Sequence, residues 1–415
     1  MVTTGAAVVD RFSLQLTLIL FLSVVVVTLF TALLTAPQRD EIAEFYLGNR
    51  TMSPLRNGLA MCGDYLSAAT LLGSTGLVAL TGYDGLLYLC GTAVAWMMVL
   101  LLIAEPLRNA GRFTLGDTIA LRLPRGQRPV RLALAVCTLA IATLYLVAQL
   151  VGSVALLTQF TGEPSATTRT LCVVVIGTIV IVYAAIGGMP GATFIQVVKA
   201  VMLISGVTVT AVMVLHRFDW NPDALLTALL SCLAFVTLLA VAAGLTLAAA
   251  SSLAHDLYGE VIRKGQAKET EELAVARLSA VVIGVLGMLL ALIAWGANTA
   301  TLAFLAFAIA ASALLPTLVY TLFWRRFTAQ GALLSLCGGL LSSVLLVVFS
   351  PVVSSTPSSL YPSADFAWFP LQNPGLVSIP AGFLLGWLGS VLTRPEMPEN
   401  YADFEVRTLV GIDEK

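Results

Sequence analysis

The sequence predicts an all-α polytopic membrane protein with about eleven transmembrane helices. Three observations carry that prediction. Of the 415 residues, 58% are hydrophobic and 11% are charged, and the mean hydropathy is +0.94; a soluble domain carries about 25% charged residues. Apolar runs of about 20 residues recur along the chain, the length needed to cross the hydrocarbon core of a bilayer. Finally, the lysines and arginines gather on one side when successive loops are assigned alternately to the two faces of a membrane.

The predicted spans are 12–36, 57–81, 85–108, 130–160, 168–187, 192–216, 231–260, 274–297, 300–324, 331–350 and 375–393. The first has an apolar core, Leu14 to Ala36, too long for a signal peptide, and lacks a small-residue cleavage pattern, so it reads as a span. Alternate assignment puts 19 of the 22 Lys and Arg on one side, including Arg108, Arg112, Arg122, Arg125, Arg128 and Arg131 in a single loop and Lys199 in another. Arg11, Arg169 and Arg217 fall on the opposite side. The positive-inside bias then predicts a cytoplasmic C-terminus and an external N-terminus, in the plasma membrane. A formal net charge of −1 gives no footprint for nucleic acid. Cys62, Cys90, Cys137, Cys172, Cys232 and Cys337 lie singly in apolar runs and read as small core residues. The sequence has no P-loop, HExxH or GxSxG, so neither an ATP-driven pump nor a membrane enzyme is expected, and no cofactor.

The stretch RNGLAMCGDYLSAATLLGSTG, Arg56 to Gly76, breaks the apolar pattern of the second span. It sets Gly63 beside Asp64, a carboxylate well inside a span, with Tyr65, Ser67 and Thr70 following within two turns. Backbone groups freed in hydrocarbon need partners, so helices break at membrane depth only where they line a cavity. An ionisable residue at such depth is costly and marks a functional site. The expectation is a cation or proton site: freed carbonyls and hydroxyls supply oxygens for a hard cation, and Asp64 biases the site toward positive charge. The competing reading places Asp64 near enough to the cytoplasmic end to reach water, with the glycines serving close packing.

Other polar marks read more quietly. Tyr145 and Gln149 share one helix face and point to the bundle interior, as substrate-path or interhelical hydrogen-bonding groups. GGMPGATFIQ, Gly187 to Gln196, reads as a tight turn between two spans. RFTLGD, Arg112 to Asp117, followed by TIALRL, reads as a short interfacial helix. His255 and Asp256 in AHDLYG read as helix-end or packing groups. Residues 351–374, rich in Pro and Ser, read as an external loop.

Together, EFYLGNRTMSPLRNGLAMCGDYLSAATLLG, GYDGLLY, LIAEPLRNAGRFTLGD, LYLVAQLVG, YAAIGGMPGATFIQVVKAVML, LAVAAGLTLAAASSLAHDLYG and FEVRTLVGI resemble the solute:sodium symporter family, in its acetate permease (cation/acetate symporter) branch. The resemblance implies uptake of acetate or a similar short monocarboxylate coupled to Na⁺ or H⁺, through an inverted repeat of five and five core helices. It implies an extra helix over 1–36, a first repeat over 37–216, a second over 217–324, two peripheral helices over 325–393 and a cytoplasmic tail over 394–415. It places sodium-binding carbonyls on Gly63 and Leu66, with Ser67 beside them, and the usual hydroxyl pair on Ala240 and Val241, neither of which has a hydroxyl. Thr237, one turn away, is the expected stand-in, and a proton on Asp64 is the alternative to Na⁺. Tyr65, Thr70, Tyr145 and Gln149 are the expected substrate-facing residues.

The resemblance also exposes a gap. NPDALLTALL runs directly into SCLAFVTLLAVAAGLTL at Leu230-Ser231, where the family carries two further core helices. The second repeat is thus expected to hold three core helices, with Asp64, Tyr145 and Gln149 exposed to lipid or the bundle collapsed. A non-transporting truncated remnant, or the product of a wrongly delimited gene, is the alternative reading.

Overall fold

The computed structural model describes residues 2–34, 41–67, 83–123, 125–161, 165–216, 241–294, 299–356, 359, 361, 363–393 and 401–411. Among these the secondary structure is helical apart from an isolated bridge between Ser354 and Tyr361 in the 351–374 loop. Seven helices are long and apolar enough to cross a membrane. One of them, Ala166–Gly206, holds the span predicted at 168–187 and the first part of that predicted at 192–216. The long helices Val2–Leu34, Gln127–Thr161, Glu269–Ile293, Thr299–Phe323, Ala329–Val348 and Gly375–Leu392 each overlie a predicted span. The spans expected at 57–81 and 231–260 are described only in part.

Local chemistry sets the helix ends. Ser53 caps the helix Pro54–Tyr65, accepting the Arg56 N–H at 3.4 Å, and Pro54 fills the first turn, where a missing N–H costs nothing. Thr328 does the same for Ala329–Val348 through the Gly331 N–H at 3.2 Å. The expected interfacial helix is present as Leu115–Arg122, started by a capping box between Thr114 and Asp117. The tail adds a helix, Tyr401–Val410, that the hydropathy pattern does not single out.

The expected turn in GGMPGATFIQ falls on Gly188, whose φ of 51° and ψ of −155° interrupt an otherwise continuous run from Ala166 to His216. This backbone region is open to glycine and strained for other residues. A Cβ there would also lie 2.9 Å from Cδ2 of Phe45, a fully buried ring. Gly188→Ala is expected to cost about 1–3 kcal/mol, read as a lower melting temperature of the purified protein.

The chain divides into two compact units. The first comprises Met1–Gly73, Leu146–Leu247 and Ala280–Trp295. In it, Val2–Leu34 packs on the long Gly188-kinked pair, where Thr28 Oγ1 and the Tyr183 hydroxyl lie 2.6 Å apart. Pro54–Tyr65 packs on the same pair. The second unit comprises Ser74–Tyr145, Ala248–Ser279 and Gly296–Lys415. Its centre is three mutually packed helices, Thr299–Phe323, Ala329–Val348 and Gly375–Leu392. Ser312 and Ser378 hydroxyls meet at 2.7 Å there, and an added Cβ on Gly339 or Gly382 would overlap the Ser312 carbonyl oxygen. Small residues let these backbones approach closely, which is how apolar helices gain packing energy in lipid.

Candidate functional site

In the first unit, the helix Pro54–Tyr65 stops inside the apolar run that holds it. Leu66 leaves the helix with φ −71° and ψ 93°, its N–H bonded to the Cys62 carbonyl at 3.1 Å. The break expected at Gly63-Asp64 therefore falls two residues later. Gly63 is buried against the run Ala166–His216 so tightly that a Cβ would overlap the Gln196 carbonyl oxygen. Gly63→Ala is expected to lower folded yield and melting temperature more than Gly58→Ala, whose added Cβ meets nothing within 4 Å.

That close approach sets Asp64 against Gln196. Gln196 Nε2 donates to Asp64 Oδ1 at 2.8 Å, and Lys199 Nζ donates to Gln196 Oε1 at 3.3 Å. Lys199 is fully buried. A Cβ on Gly244 would come within 2.9 Å of Asp64 Oδ1 and 3.6 Å of Gln196 Nε2, so the 241–250 helix approaches the same two groups. One polar chain, carboxylate to amide to ammonium, thus sits where the helix breaks. The placement of Lys199 among the loop charges is corrected: it lies on a buried helix face, one turn from Gln196. A sequence signal for this exists, a Gln and a Lys at i and i+3 inside IQVVKAVML, on one side of a helix.

The other expected site residues divide. Ser67 is fully buried beyond the break, and Tyr65 and Leu66 are partly buried. Gln149 is buried, and among the described residues neither its amide oxygen nor its nitrogen has a hydrogen-bond partner. In the second unit, Tyr145 is buried with its ring edge-on to Phe307 at 5.0 Å. The expected exposure is therefore corrected for two of the three groups. Asp64 is exposed, but Tyr145 and Gln149 are not. One turn before Gln149, the Leu146 side chain packs into the space left by Gly287 of the helix Glu269–Ile293. Thr70, Thr237 and Ala240 lie outside the described residues. Val241 is buried.

The second unit carries a denser charge cluster. Arg131 donates from Nη2 to Asp117 Oδ1 and from Nη1 to Asp256 Oδ1, both at 2.8 Å. His255 lies between Asp117, 3.0 Å from Nε2, and Glu272, 2.8 Å from Nδ1. Ionised carboxylates only accept, so a ring bonded to one at each nitrogen donates from both and is cationic. Thr114 Oγ1 adds a bond to Asp256 Oδ1 at 2.8 Å, and Ser252 Oγ one to Oδ2 at 3.1 Å. His255 and Asp256 sit in a π-helical stretch, Ser252–Ile262, a winding that often marks functional positions.

Asp117, His255 and Asp256 are spaced closely enough to hold a metal ion. The Arg131 guanidinium already supplies positive charge to both carboxylates, so the donor set reads as a closed ion network. Burial alone would raise the Asp117 carboxyl. The His255 hydrogen bond and charge, Arg131 and the Phe113 N–H outweigh it and hold the carboxyl well below the usual range. The unfolded reference is about 3.9. Ionised Asp117 thus stabilises the fold above that value, and the contribution is lost as pH falls through the native value. Asp117→Asn is expected to flatten the acid limb of melting temperature against pH.

Known proteins supply the family. The model of the sodium:solute symporter family matches residues 45–221 and 221–339. The chain belongs to the sodium:solute symporter family. It is 34% identical over 520 positions to the "Monocarboxylic acid transporter" of Corynebacterium glutamicum, covering 94% of each chain. It is 33% identical over 509 positions to the "Uncharacterized symporter YwcA" of Bacillus subtilis, covering 95% of this chain and 98% of that one. A solved Na⁺-coupled sialic acid symporter, in a substrate-bound outward-open state, shares the fold with a TM-score of 0.66 at 12% identity, over 92% of this chain and 99% of its own. Membership in the symporter family makes this a multi-pass membrane protein of a solute-transport family.

The two family segments meet at Asn221, near the junction expected at Leu230-Ser231. The 520 positions aligned with the Corynebacterium relative exceed the chain's 415 residues by 105. Those relatives therefore carry residues with no counterpart here, in number enough for two membrane helices and their loops.

Proposed function

We propose that this symporter takes up acetate or a similar short monocarboxylate with a coupling cation, Na⁺ or H⁺, across the plasma membrane, with its arginine-rich face in the cytoplasm. The observation that carries the reading is the helix end at Tyr65-Leu66, with Asp64 bonded to Gln196 beside it. The expected cation groups are Gly63, Asp64, Leu66 and Ser67, joined by Thr237 and Ala240 from the 231–260 span. Tyr65, Thr70, Tyr145 and Gln149 are the expected substrate groups. Gln149 suits that task, because its buried amide offers two donors and an acceptor that the protein leaves unused. The name of the Corynebacterium relative supports a monocarboxylate.

Lys199 supplies what the motif reading lacked, a positive charge close to the break. A carboxylate alone would repel an anionic substrate; a buried ammonium linked to it through Gln196 offsets that repulsion. The inverted-repeat division at 37–216 and 217–324 accompanies this reading.

A second reading rests on the gap at Asn221. Without two core helices, one wall of the transport path is missing, and the chain is a non-transporting remnant or the product of a wrongly delimited gene. Labelled-acetate uptake into proteoliposomes holding the 415-residue chain separates the two. Accumulation driven by an imposed Na⁺ or H⁺ gradient supports the transporter and names its ion. No accumulation, beside an active version with the family's helices restored at the junction, supports the remnant.

A further inference from the structure

Arg122 presents a problem that neither the transport reading nor the charge cluster answers. It ends the helix Leu115–Arg122 and is fully buried. Nη2 donates to the Arg325 carbonyl at 2.6 Å. Nε and Nη1 are buried and have no hydrogen-bond partner among the described residues. The guanidinium carbon stands 4.5 Å from the centre of the Tyr401 ring. The Arg325 guanidinium faces the same ring at 5.3 Å.

Two like charges therefore converge on one aromatic side chain, with no acid between them among the described residues. Among the described residues, neither arginine makes an ion pair with a carboxylate. The tail helix carrying Tyr401 has Asp403 and Glu405, and both are exposed. Burial, and then the charge of Arg325, push Arg122 below its ordinary value, with Tyr401 acting the other way. The ring quadrupole attracts each cation, contributing about 0.5–2 kcal/mol, but it carries no net charge. A buried cation left uncompensated is strongly destabilising, so the arrangement calls for an anion.

From the orphaned Nε and Nη1 of Arg122 and the exposed Arg325 guanidinium on the same ring, we infer an anion site for a phosphate group, held between the two guanidiniums at the edge of the tail helix. Guanidinium is the side chain best matched to phosphate oxygens, through several short charge-assisted hydrogen bonds. Arg325 is exposed and Arg122 is not, so the group enters from the Arg325 side. Two sources share this chemistry: the headgroup phosphate of an anionic phospholipid and free inorganic phosphate. The arginine-rich face on which Arg122 and Arg325 lie is where anionic headgroups concentrate. Occupancy would tie three separate segments together, the ends of Leu115–Arg122 and Thr299–Phe323 and the start of Tyr401–Val410.

The test uses the full chain in detergent, wild type beside Arg325→Gln, Arg122→Gln and Phe366→Ala as an unrelated surface control. Arg325→Gln changes an exposed residue and is expected to fold normally, so it keeps the test informative if Arg122→Gln does not express. Native mass spectrometry would count retained phosphatidylglycerol against phosphatidylcholine, and melting temperature would be followed with each lipid and with inorganic phosphate. The expected result is at least a tenfold preference for one phosphate species, with a higher melting temperature in its presence, both lost in Arg325→Gln and kept in Phe366→Ala. Retention of phosphatidylglycerol alone names the lipid headgroup; stabilisation by inorganic phosphate alone names the free anion. Equal binding and stabilisation in wild type and Arg325→Gln would overturn the site.

Discussion

Arg131→Gln is expected to be among the most damaging single substitutions in this protein, at about 3–5 kcal/mol. The side chain is 9% exposed and forks between Asp117 and Asp256, themselves 12% and 2% exposed. Removing it leaves two buried carboxylates facing each other, with His255 alone to compensate. The charge balance worsens at once, since Glu272 also draws on His255. Glutamine keeps much of the length but carries no charge. Arg131→Lys keeps a charge but offers a point rather than a fork, so it is expected to fall between the two. The measurement is the melting temperature by fluorescence-detected gel filtration. The control is Arg263→Gln at the exposed Arg263–Glu271 pair, where a 2.7 Å bridge in water is expected to contribute nothing measurable. An Arg131→Gln protein that melts with wild type would show that the cluster is not a structural tie.

Asp64→Asn is expected to abolish gradient-driven accumulation while leaving the protein folded. Asparagine can still accept the Gln196 amide hydrogen bond that holds the helix end in place. What it cannot do is take up a proton or balance a cation, and it leaves Lys199 without its carboxylate. Initial uptake rates should fall at least tenfold, equivalent to about 1.4 kcal/mol of barrier, and the accumulation ratio should drop to that of passive exchange. Where the 415-residue chain itself does not transport, the same substitution belongs in the version with its two helices restored. Concentrative uptake at the wild-type level in Asp64→Asn would remove Asp64 from the coupling path. Lys199→Met tests the other end of the chain: a weaker apparent affinity for the carboxylate with an unchanged coupling ion would place Lys199 on the substrate rather than on the cation.

Much of the architecture can be read in one dimension. Each span is announced by its own apolar run, because a helix in lipid satisfies its backbone internally and needs no distant partner to be recognised. The break near Asp64 is legible for a similar reason, since a glycine and a carboxylate conflict with their apolar surroundings on the spot. The turn at Gly188 is legible as well, because a glycine pair between two spans is a local signal. Lys199 shows where such reading fails. A lysine near the start of a span counts naturally as a loop charge, and only the packing of Gln196 on Gly63 shows that it belongs to the Asp64 chain.

By itself, then, the sequence determined the membrane class, the apolar runs behind the long helices, a helix end within two residues of Asp64 and, through its motifs, the symporter family. The tertiary structure decided which charges are partners. Asp64 meets Gln196 across 132 positions, Arg131 meets Asp256 across 125, and Arg122 meets Arg325 across 203. Hydropathy is a property of neighbours along the chain, whereas a buried charge is stabilised by whatever lies within a few ångströms in space. In a chain with 11% charged residues, that second condition is what turns scattered polar positions into sites.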